Sequence, residues 1–561
     1  MARSVGIGFQ DFEQMITTNN YYIDKTSFIK EWWEYNDVVT LITRPRRFGK
    51  TLNLDMVEHF FSVNYSGSNL FCNLSIWQEE KYRKLQGTYP IISLSFANVK
   101  ETSFLNTKKK ICQIIEKLYN KYDFLLECDC LNEKEKEIYQ KISANMEDYL
   151  ATDSLNALSD YLMRYYGKKV IILLDEYDTP LQEAYVSGYW PELTSLIRMM
   201  FHSTFKTNDY LYRAVMTGIT RVSKESVFSD LNNPEVITTT SEKYCTAFGF
   251  TEEEVRSSLE QYGLADTMDK VRYWYDGFCF GSRTDIYNPW SITKYLDAEK
   301  FETYWANTSS NNLISKLIQE SATDVKIAME DLIEGKSIET SIDEEIVFDR
   351  LDGSFEAIFS LLLASGYLKV THVSEADDDG TMIYRLSLTN LEVRKSFRKM
   401  IQGWFQISSA RYNDFIKALL ENNVGYMNQY MNKMALATFS FFDNGNHSSR
   451  QAEPERFYHS FVLGLIADAK LEYTITSNRE SGLGRYDVIM EPNDQNRDAY
   501  VFEFKVKDPS SEASLEETVE NALAQIAEKE YDTTLIAKGF PKERIRHYGF
   551  AFEGKRVLIS S

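Results

Sequence analysis

The apolar run Val39-Thr40-Leu41-Ile42 carries on to Pro45, and the pattern then changes at once to the spaced apolar positions of TLNLDMVEHFF. The first segment predicts a buried strand and the second an amphipathic helix, joined by the turn RRFGK. Further strands are predicted at Tyr89 to Phe96, Lys168 to Asp178 and Tyr212 to Gly218, with amphipathic stretches such as Ser154 to Tyr166 between them. The segment VIILL does not alternate, so both its faces must be covered by helices. Strands alternating with helices predict an α/β domain with a parallel sheet.

Beyond about Phe248 the strand signals thin out, and a mainly helical lid and connecting region is expected, interrupted by the patches WYDGFCFG and IYNPWSI. Between Ser354 and Met400 an apolar helix, the strand KVTHVS, the turn EADDDG, the strand YRLSL and a further helix predict a winged-helix-like module. Its wing turn carries Asp377, Asp378 and Asp379, which repel phosphate, so the module is expected to pack or to contact protein rather than read DNA. The Asn-, Gly-, Ser- and Pro-rich stretch Phe441 to Glu455 predicts a linker. The expected organisation is an α/β domain over 1–250, a helical and winged-helix-like middle over 251–442, and a C-terminal α/β domain over 453–561.

With 561 residues, 43% of them hydrophobic, several cores can be buried. The formal charge of −21 excludes a polybasic coat, so any nucleic-acid contact must be local. Six cysteines, with a single Cys-x-Cys, are too sparse for a disulfide framework and are expected to be reduced thiols. The N-terminus MARSVGIGFQDFEQM has no long apolar core, and no run approaches a membrane span. A cytoplasmic protein without membrane contact is expected.

Two constellations carry chemistry. In Arg44-Pro45-Arg46-Arg47-Phe48-Gly49-Lys50-Thr51 the pattern GxxxxGK[ST] keeps its second glycine, its lysine and its hydroxyl, after a strand and before a helix. Arg47, Phe48 and Gly49 would offer backbone N–H groups to the phosphates of ATP, Lys50 would bridge them, and Thr51 would hold Mg²⁺. Arg44 replaces the first glycine, and its added charge is expected to favour binding over fast turnover. Asp175 and Glu176 follow IILL directly, where Asp175 would serve the Mg²⁺ shell and Glu176 would polarise the attacking water. The other reading of Asp175, Glu176 and Asp178 is a solvated strand end capping the next helix.

The second constellation lies in YDVIM and AYVFEFK, which flank a polar turn and predict a hairpin. With Gln495 at its centre, Asp487 falls opposite Glu503, and Lys505 shares their face because residues two apart in a strand point the same way. Two carboxylates and a lysine can hold Mg²⁺, bring water to a phosphodiester and stabilise the developing charge. A solvated hairpin with a surface ion pair would spell the same pattern. Glu455 with His459 on the preceding helix and Gln525 on the following one suit a site lined by two helices. From Glu453 onward there are 14 basic and 20 acidic residues, so a DNA contact would rely on a local rim such as Arg479, Arg485, Lys505 and Lys507.

The stretches YYIDKTSFIKEW, LITRPRRFGKTLNLDM, LLDEYDTP, TGITRVSKESVFSDLNN, YDGFCFG and YNPWSI together resemble the AAA-ATPase-like proteins common in gut and other anaerobic bacteria. That resemblance covers roughly the first half of the chain and implies ATP as ligand. It also implies a polar sensor group at Thr217, with Arg221 as a further candidate contact and Tyr22, Asp24 and Lys25 bordering the nucleotide. The last hundred residues, through YHSFVLGL, SNRESGLGRYD, VFEFK and ALAQI, resemble the PD-(D/E)XK nuclease-like domain found fused to such ATPases. This implies metal ligands at Glu455, Asp487 and Glu503, Lys505 in catalysis and Gln525 at the site edge. The expected function is an ATP-binding protein, an ATPase, that couples nucleotide state to Mg²⁺-dependent nucleic-acid cleavage. The alternative is an ATP-dependent signalling switch or partner-binding protein with an inactive nuclease-like domain, and a homo-oligomer or a protein partner is a separate expectation.

Overall fold

The computed structural model describes residues 3–221, 234–305, 313–314, 317–318, 321, 323–343, 351, 354–376, 381–406, 412–438, 462–463, 466, 472–481, 484–494 and 496–561. The chain divides into two compact units, Met1–Ile314 with Ser337–Lys395, and Ser315–Lys336 with Ser396–Ser561.

The first unit is built on five strands: β1 (Val39–Thr43), β2 (Ile91–Ser95), β3 (Val170–Asp175), β4 (Leu211–Gly218) and β5 (Pro234–Ile237). They pair in the order β2-β3-β4-β1-β5, all parallel. Every residue of β1 and β3 is buried, as an unalternating apolar strand requires when both faces are covered. Four of the strands fall where the hydrophobic pattern puts them. β5 has only four residues and starts with a proline, which has no N–H to donate and is tolerated at a sheet edge, so it leaves almost no periodic signal. Because β4 lies between β1 and β3, the C-terminal ends of all three border one crevice, and the turns that follow them supply its walls.

The region after β5 is less helical than its pattern suggests. β6 (Phe250–Thr251), β7 (Phe278–Phe280) and β8 (Arg283–Tyr287) form a small antiparallel sheet in the order β6-β8-β7. WYDGFCFG therefore runs from the end of the helix Met268–Tyr275 through β7 to Gly281 at φ +55°, and IYNPWSI from the end of β8 into the helix Pro289–Ala298. Strands of two to five residues are too short to show a period. Further on, β9 (Ile338–Thr340), β10 (Leu368–Ala376) and β11 (Thr381–Leu388) pair in the order β10-β11-β9. The helices Phe355–Ala364 and Leu391–Gln406 flank the hairpin, as the helix–hairpin–helix pattern predicts, and β9 is an unforeseen third strand. Asp377, Asp378 and Asp379 and the linker 441–455 lie outside the described residues.

In the second unit β12 (Tyr473–Ser481), β13 (Gly484–Pro492), β14 (Ala499–Val506), β15 (Ile545–Glu553) and β16 (Arg556–Ser560) pair in sequence order. All neighbours are antiparallel except β14 and β15, whose parallel pairing is bridged by the helix Leu515–Glu528. The two-residue period sorts the side chains. Val488, Met490, Tyr500, Phe502 and Phe504 enter one core, and Ile489, Val501 and Ile526 enter the other. The outer edge of β16 is covered by the helix Val424–Thr438. Asn428 donates to the carbonyl of Ile559 at 2.8 Å and accepts from its N–H at 2.8 Å, and Asn432 does the same for Val557 at 2.6 and 3.0 Å. Two side-chain amides one helical turn apart thus satisfy a strand edge that would otherwise be a template for aggregation.

One expectation about the cysteines is corrected. Cys128 and Cys130 form a disulfide across one intervening residue, because the turn brings their Cα atoms to 5.3 Å, while Cys72, Cys112, Cys245 and Cys279 are free thiols. Among the described residues no helix is long and apolar enough to cross a membrane.

Asp178 ties β3 to β4 and accounts for one acid of the DEYD stretch. Its buried carboxylate accepts from the N–H groups of Ile219 and Thr220 and from the Thr220 hydroxyl, each at 2.9 Å. Asp178→Ala would strand two buried N–H groups, so a loss of about 2–4 kcal/mol is expected. Chemical denaturation measures it, and an unchanged midpoint would contradict this role.

Candidate functional site

The loop after β1 turns sharply twice. Arg47 at φ +64° and Gly49 at φ +80° both adopt the left-handed conformation, and a Cβ on Gly49 would meet nothing within 4 Å, so glycine is demanded there by the backbone angle alone. The helix Lys50–Phe61 then starts with Gly49 as its cap and no side chain capping it. Its first N–H groups therefore face the loop, which is the arrangement that accepts a phosphate. Lys50 is buried, and its ammonium donates to the carbonyls of Arg44 and Pro45, both at 2.9 Å. Burial pushes the Lys50 pKa down, against the opposing pull of Glu176 and Asp175.

Asp175 is the hub. One carboxylate oxygen accepts from the Thr51 hydroxyl at 2.7 Å and the other from the Thr217 hydroxyl at 2.6 Å. Burial raises its pKa, and these two hydrogen bonds oppose the rise. Thr51, Asp175 and Thr217, from three different segments, thus meet in one place. A hydroxyl beside a carboxylate is the hard-oxygen donor set that Mg²⁺ takes, so these residues fit the ion. Glu176 stands next to them at φ +49°, its carboxylate accepting from Thr179 at 3.1 Å.

Several predicted residues are placed differently from their expected use. Arg44 is fully buried, with its guanidinium donating to the carbonyls of Thr43 at 2.9 Å and Thr238 at 2.6 Å and lying 4.4 Å from the centre of the Phe280 ring. Burial lowers its pKa to about 9. The expected extra charge at the phosphates is therefore absent, because Arg44 braces the floor of the loop. Phe48 offers only its backbone, its ring being buried 4.8 and 5.3 Å from those of Phe278 and Phe280. Arg47 is exposed and stacks 4.6 Å from the Trp290 ring. The opening motif is structural. Lys25 pairs with both carboxylate oxygens of Glu254 at 2.7 Å, Asp24 accepts from the Thr26 N–H and hydroxyl, and Tyr22 donates to the Met56 sulfur. Arg221 borders a second small cleft with Thr238 and Ser360.

Sequence reasoning missed the groups that hold the loop from outside. The Arg46 carbonyl accepts from Asn288 at 3.3 Å and from the Trp305 indole at 2.9 Å. Buried Glu392 in turn accepts from the Trp305 N–H at 2.6 Å and from the Ser291 hydroxyl at 2.8 Å. The Asn-Pro pair within IYNPWSI is a helix-start signal, and Asn288 does cap the helix Pro289–Ala298, yet nothing in the sequence says that its amide also reaches the loop.

In the second unit the paired register Val488 with Phe502, Ile489 with Val501 and Met490 with Tyr500 is symmetric about position 495. One further step sets Asp487 opposite Glu503, the geometry expected of the hairpin. Asp487 accepts from the Phe504 N–H at 2.8 Å, and burial pushes its pKa up to about 6. Glu503 is 2% exposed and accepts from Gln525. The Gln525 carbonyl accepts from Lys505 at 2.7 Å, and its amide also lies 3.1 Å from the Tyr531 hydroxyl. Gln525 therefore bridges the acid and the lysine. Two carboxylates of different strands fit a hard cation. Lys507 is paired with Glu553 at 2.9 Å, which removes it from a basic rim. Glu455, His459 and the side chains of Arg479 and Arg485 lie outside what is described.

With this geometry in view, residues 6–228 match the family model described as "Predicted AAA-ATPase", and residues 453–561 match that of the PD-(D/E)XK nuclease superfamily. The chain is also similar along nearly its whole length to the "Uncharacterized protein in vnfD 5'region" of Azotobacter chroococcum mcd 1, with 24% identity over 553 residues that span 96% of this chain and 95% of that one. The P-loop crevice and the acid-bearing hairpin each fall inside one of the two matches, and the chain accordingly carries an AAA-ATPase-like domain and a PD-(D/E)XK nuclease superfamily domain.

Proposed function

We propose that the protein is a cytoplasmic ATPase whose nucleotide state governs Mg²⁺-dependent cleavage of nucleic acid by its C-terminal domain. The observation that carries this reading is the meeting of Thr51, Asp175 and Thr217 at the uncapped start of the helix Lys50–Phe61. Lys50 would leave the loop carbonyls for the β- and γ-phosphates, an exchange of neutral for charge-assisted hydrogen bonds. Thr51 and Asp175 would hold Mg²⁺, which supplies charge neutralisation at the phosphates. Glu176 would orient water. In the C-terminal domain Asp487 and Glu503 would hold the second ion, with Lys505 beside the scissile phosphate. The working division is 1–250 for the ATPase, 251–442 for the connecting region and 453–561 for the nuclease.

Lys50→Ala is expected to abolish ATP binding in equilibrium titration, and unchanged affinity in a folded variant would sink the assignment. Glu176→Gln should keep ATP bound and slow its hydrolysis by roughly a hundredfold or more. Hydrolysis at the parent rate would make Glu176 a structural acid.

With Mg²⁺ or Mn²⁺ and a panel of DNA and RNA, Asp487→Ala and Lys505→Ala should each suppress cleavage while the domain stays folded. Retained cleavage in either, or none in the parent, would remove the nuclease claim. Asp487 must be ionised to hold a metal, so metal affinity measured by calorimetry should fall as the pH drops through about 6. The metal-free protein should show the opposite trend. A carboxyl whose folded pKa lies above its unfolded one stabilises the fold when protonated, so stability declines as pH rises from about 4 to about 6. Asp487→Asn should remove that slope.

A further inference from the structure

The loop carries three arginines, and the structure gives each a different surrounding. Arg44 is buried beneath the loop and Arg47 lies outside it on Trp290. Arg46 is half-buried, and among the described residues its guanidinium has neither an ion pair nor a hydrogen bond, although its backbone is held by Asn288 and Trp305. Its side chain borders an open cleft with Gln182, Ile219, Thr220, Trp305 and Tyr367. That cleft begins just past the end of β4, at Ile219 and Thr220, whose N–H groups donate to Asp178. Arg46 is also close enough to Lys50 to make its charging less favourable.

Two cations therefore sit at one loop. Among the described residues Lys50 hydrogen-bonds to carbonyls, with Glu176, Asp175 and Asp178 near enough to favour its charge, whereas no carboxylate pairs with Arg46. A guanidinium without a carboxylate partner beside a partly apolar cleft favours an incoming anion, and its planar fork suits a terminal phosphate. We propose that Arg46 is a γ-phosphate contact supplied by the loop itself, which makes the site selective for a nucleoside triphosphate over a diphosphate. The proposal rests on the P-loop reading above. The lysine would bridge β- and γ-phosphates and so serve both nucleotides, whereas a group that borders the cleft past the end of β4 would meet only the third phosphate. The anchoring of the Arg46 carbonyl by Asn288 and Trp305 fixes where its side chain starts.

The test is equilibrium binding of Mg²⁺ with ADP and with a non-hydrolysable ATP analogue to the full chain. In Arg46→Ala, affinity for the triphosphate should fall roughly tenfold or more, the loss expected of one charge-assisted hydrogen bond, and affinity for ADP should stay within about twofold. Arg46→Lys should recover part of the triphosphate affinity. Since the Arg46 side chain has no hydrogen-bond or ion-pair partner among the described residues, neither variant should unfold, and thermal melting checks this. If Arg46→Ala lowers both affinities equally, or neither, Arg46 is not a γ-phosphate contact while the P-loop reading stands. If the parent binds neither nucleotide, both readings fall together.

Discussion

The carboxylate of Asp175 is the contact on which the crevice of the first unit depends. It is buried at the end of β3, and the hydroxyls that bond to it come from the first turn of the P-loop helix and from the end of β4. A buried acid with one bond lost would be left under-solvated, so the three segments hold each other in place. The strand order makes this possible, since β4 between β1 and β3 sets Thr217 within reach of the acid. The same three groups fix the loop and would offer oxygen donors to a cation under the proposed function. Structural and chemical demands coincide there, and Asp178, three residues on, bears a purely structural share by bonding β4's exit.

Gln525 has a comparable place in the second unit. Its neutral amide donates to Glu503 and its carbonyl accepts from Lys505, so an acid and a base two residues apart on one strand are joined through a helix instead of pairing directly. A direct ion pair would tie the lysine to the acid, whereas an amide bridge exchanges its partners at lower electrostatic cost. Burial pushes the Asp487 pKa up to about 6.

The loop arginines show how little residue type says without surroundings. Arg44, Arg46 and Arg47 are spelled alike within four positions. One is sealed under the loop against Phe280, one borders the cleft and one stacks on a half-buried tryptophan. Two aromatic side chains from β7 decide the first case, because Phe278 and Phe280 fill the space beneath Phe48 and leave Arg44 only carbonyls to bond.

Local signals determined much of this protein. Unalternating apolar runs specify β1 to β4, since strands buried on both faces must be apolar throughout, and GKT after a strand specifies a phosphate-type turn through one left-handed glycine. The register of β13 on β14 was legible as well. A hairpin's symmetry about its turn and the two-residue side-chain period are properties of the chain alone, so Asp487, Glu503 and Lys505 could be set on one face before any fold was known. Other features were decided only by tertiary structure. β5 to β9 are too short to carry a period, and their places come from the sheets they join. Asn288, Trp305 and Glu392 hold the loop across separations of 87 to 259 residues, and whether Arg44 is charge or scaffold depends on rings supplied more than 200 positions away. Spacing along the chain encodes neighbours within a few residues. Contacts of that range are fixed by which surfaces the packed core brings together.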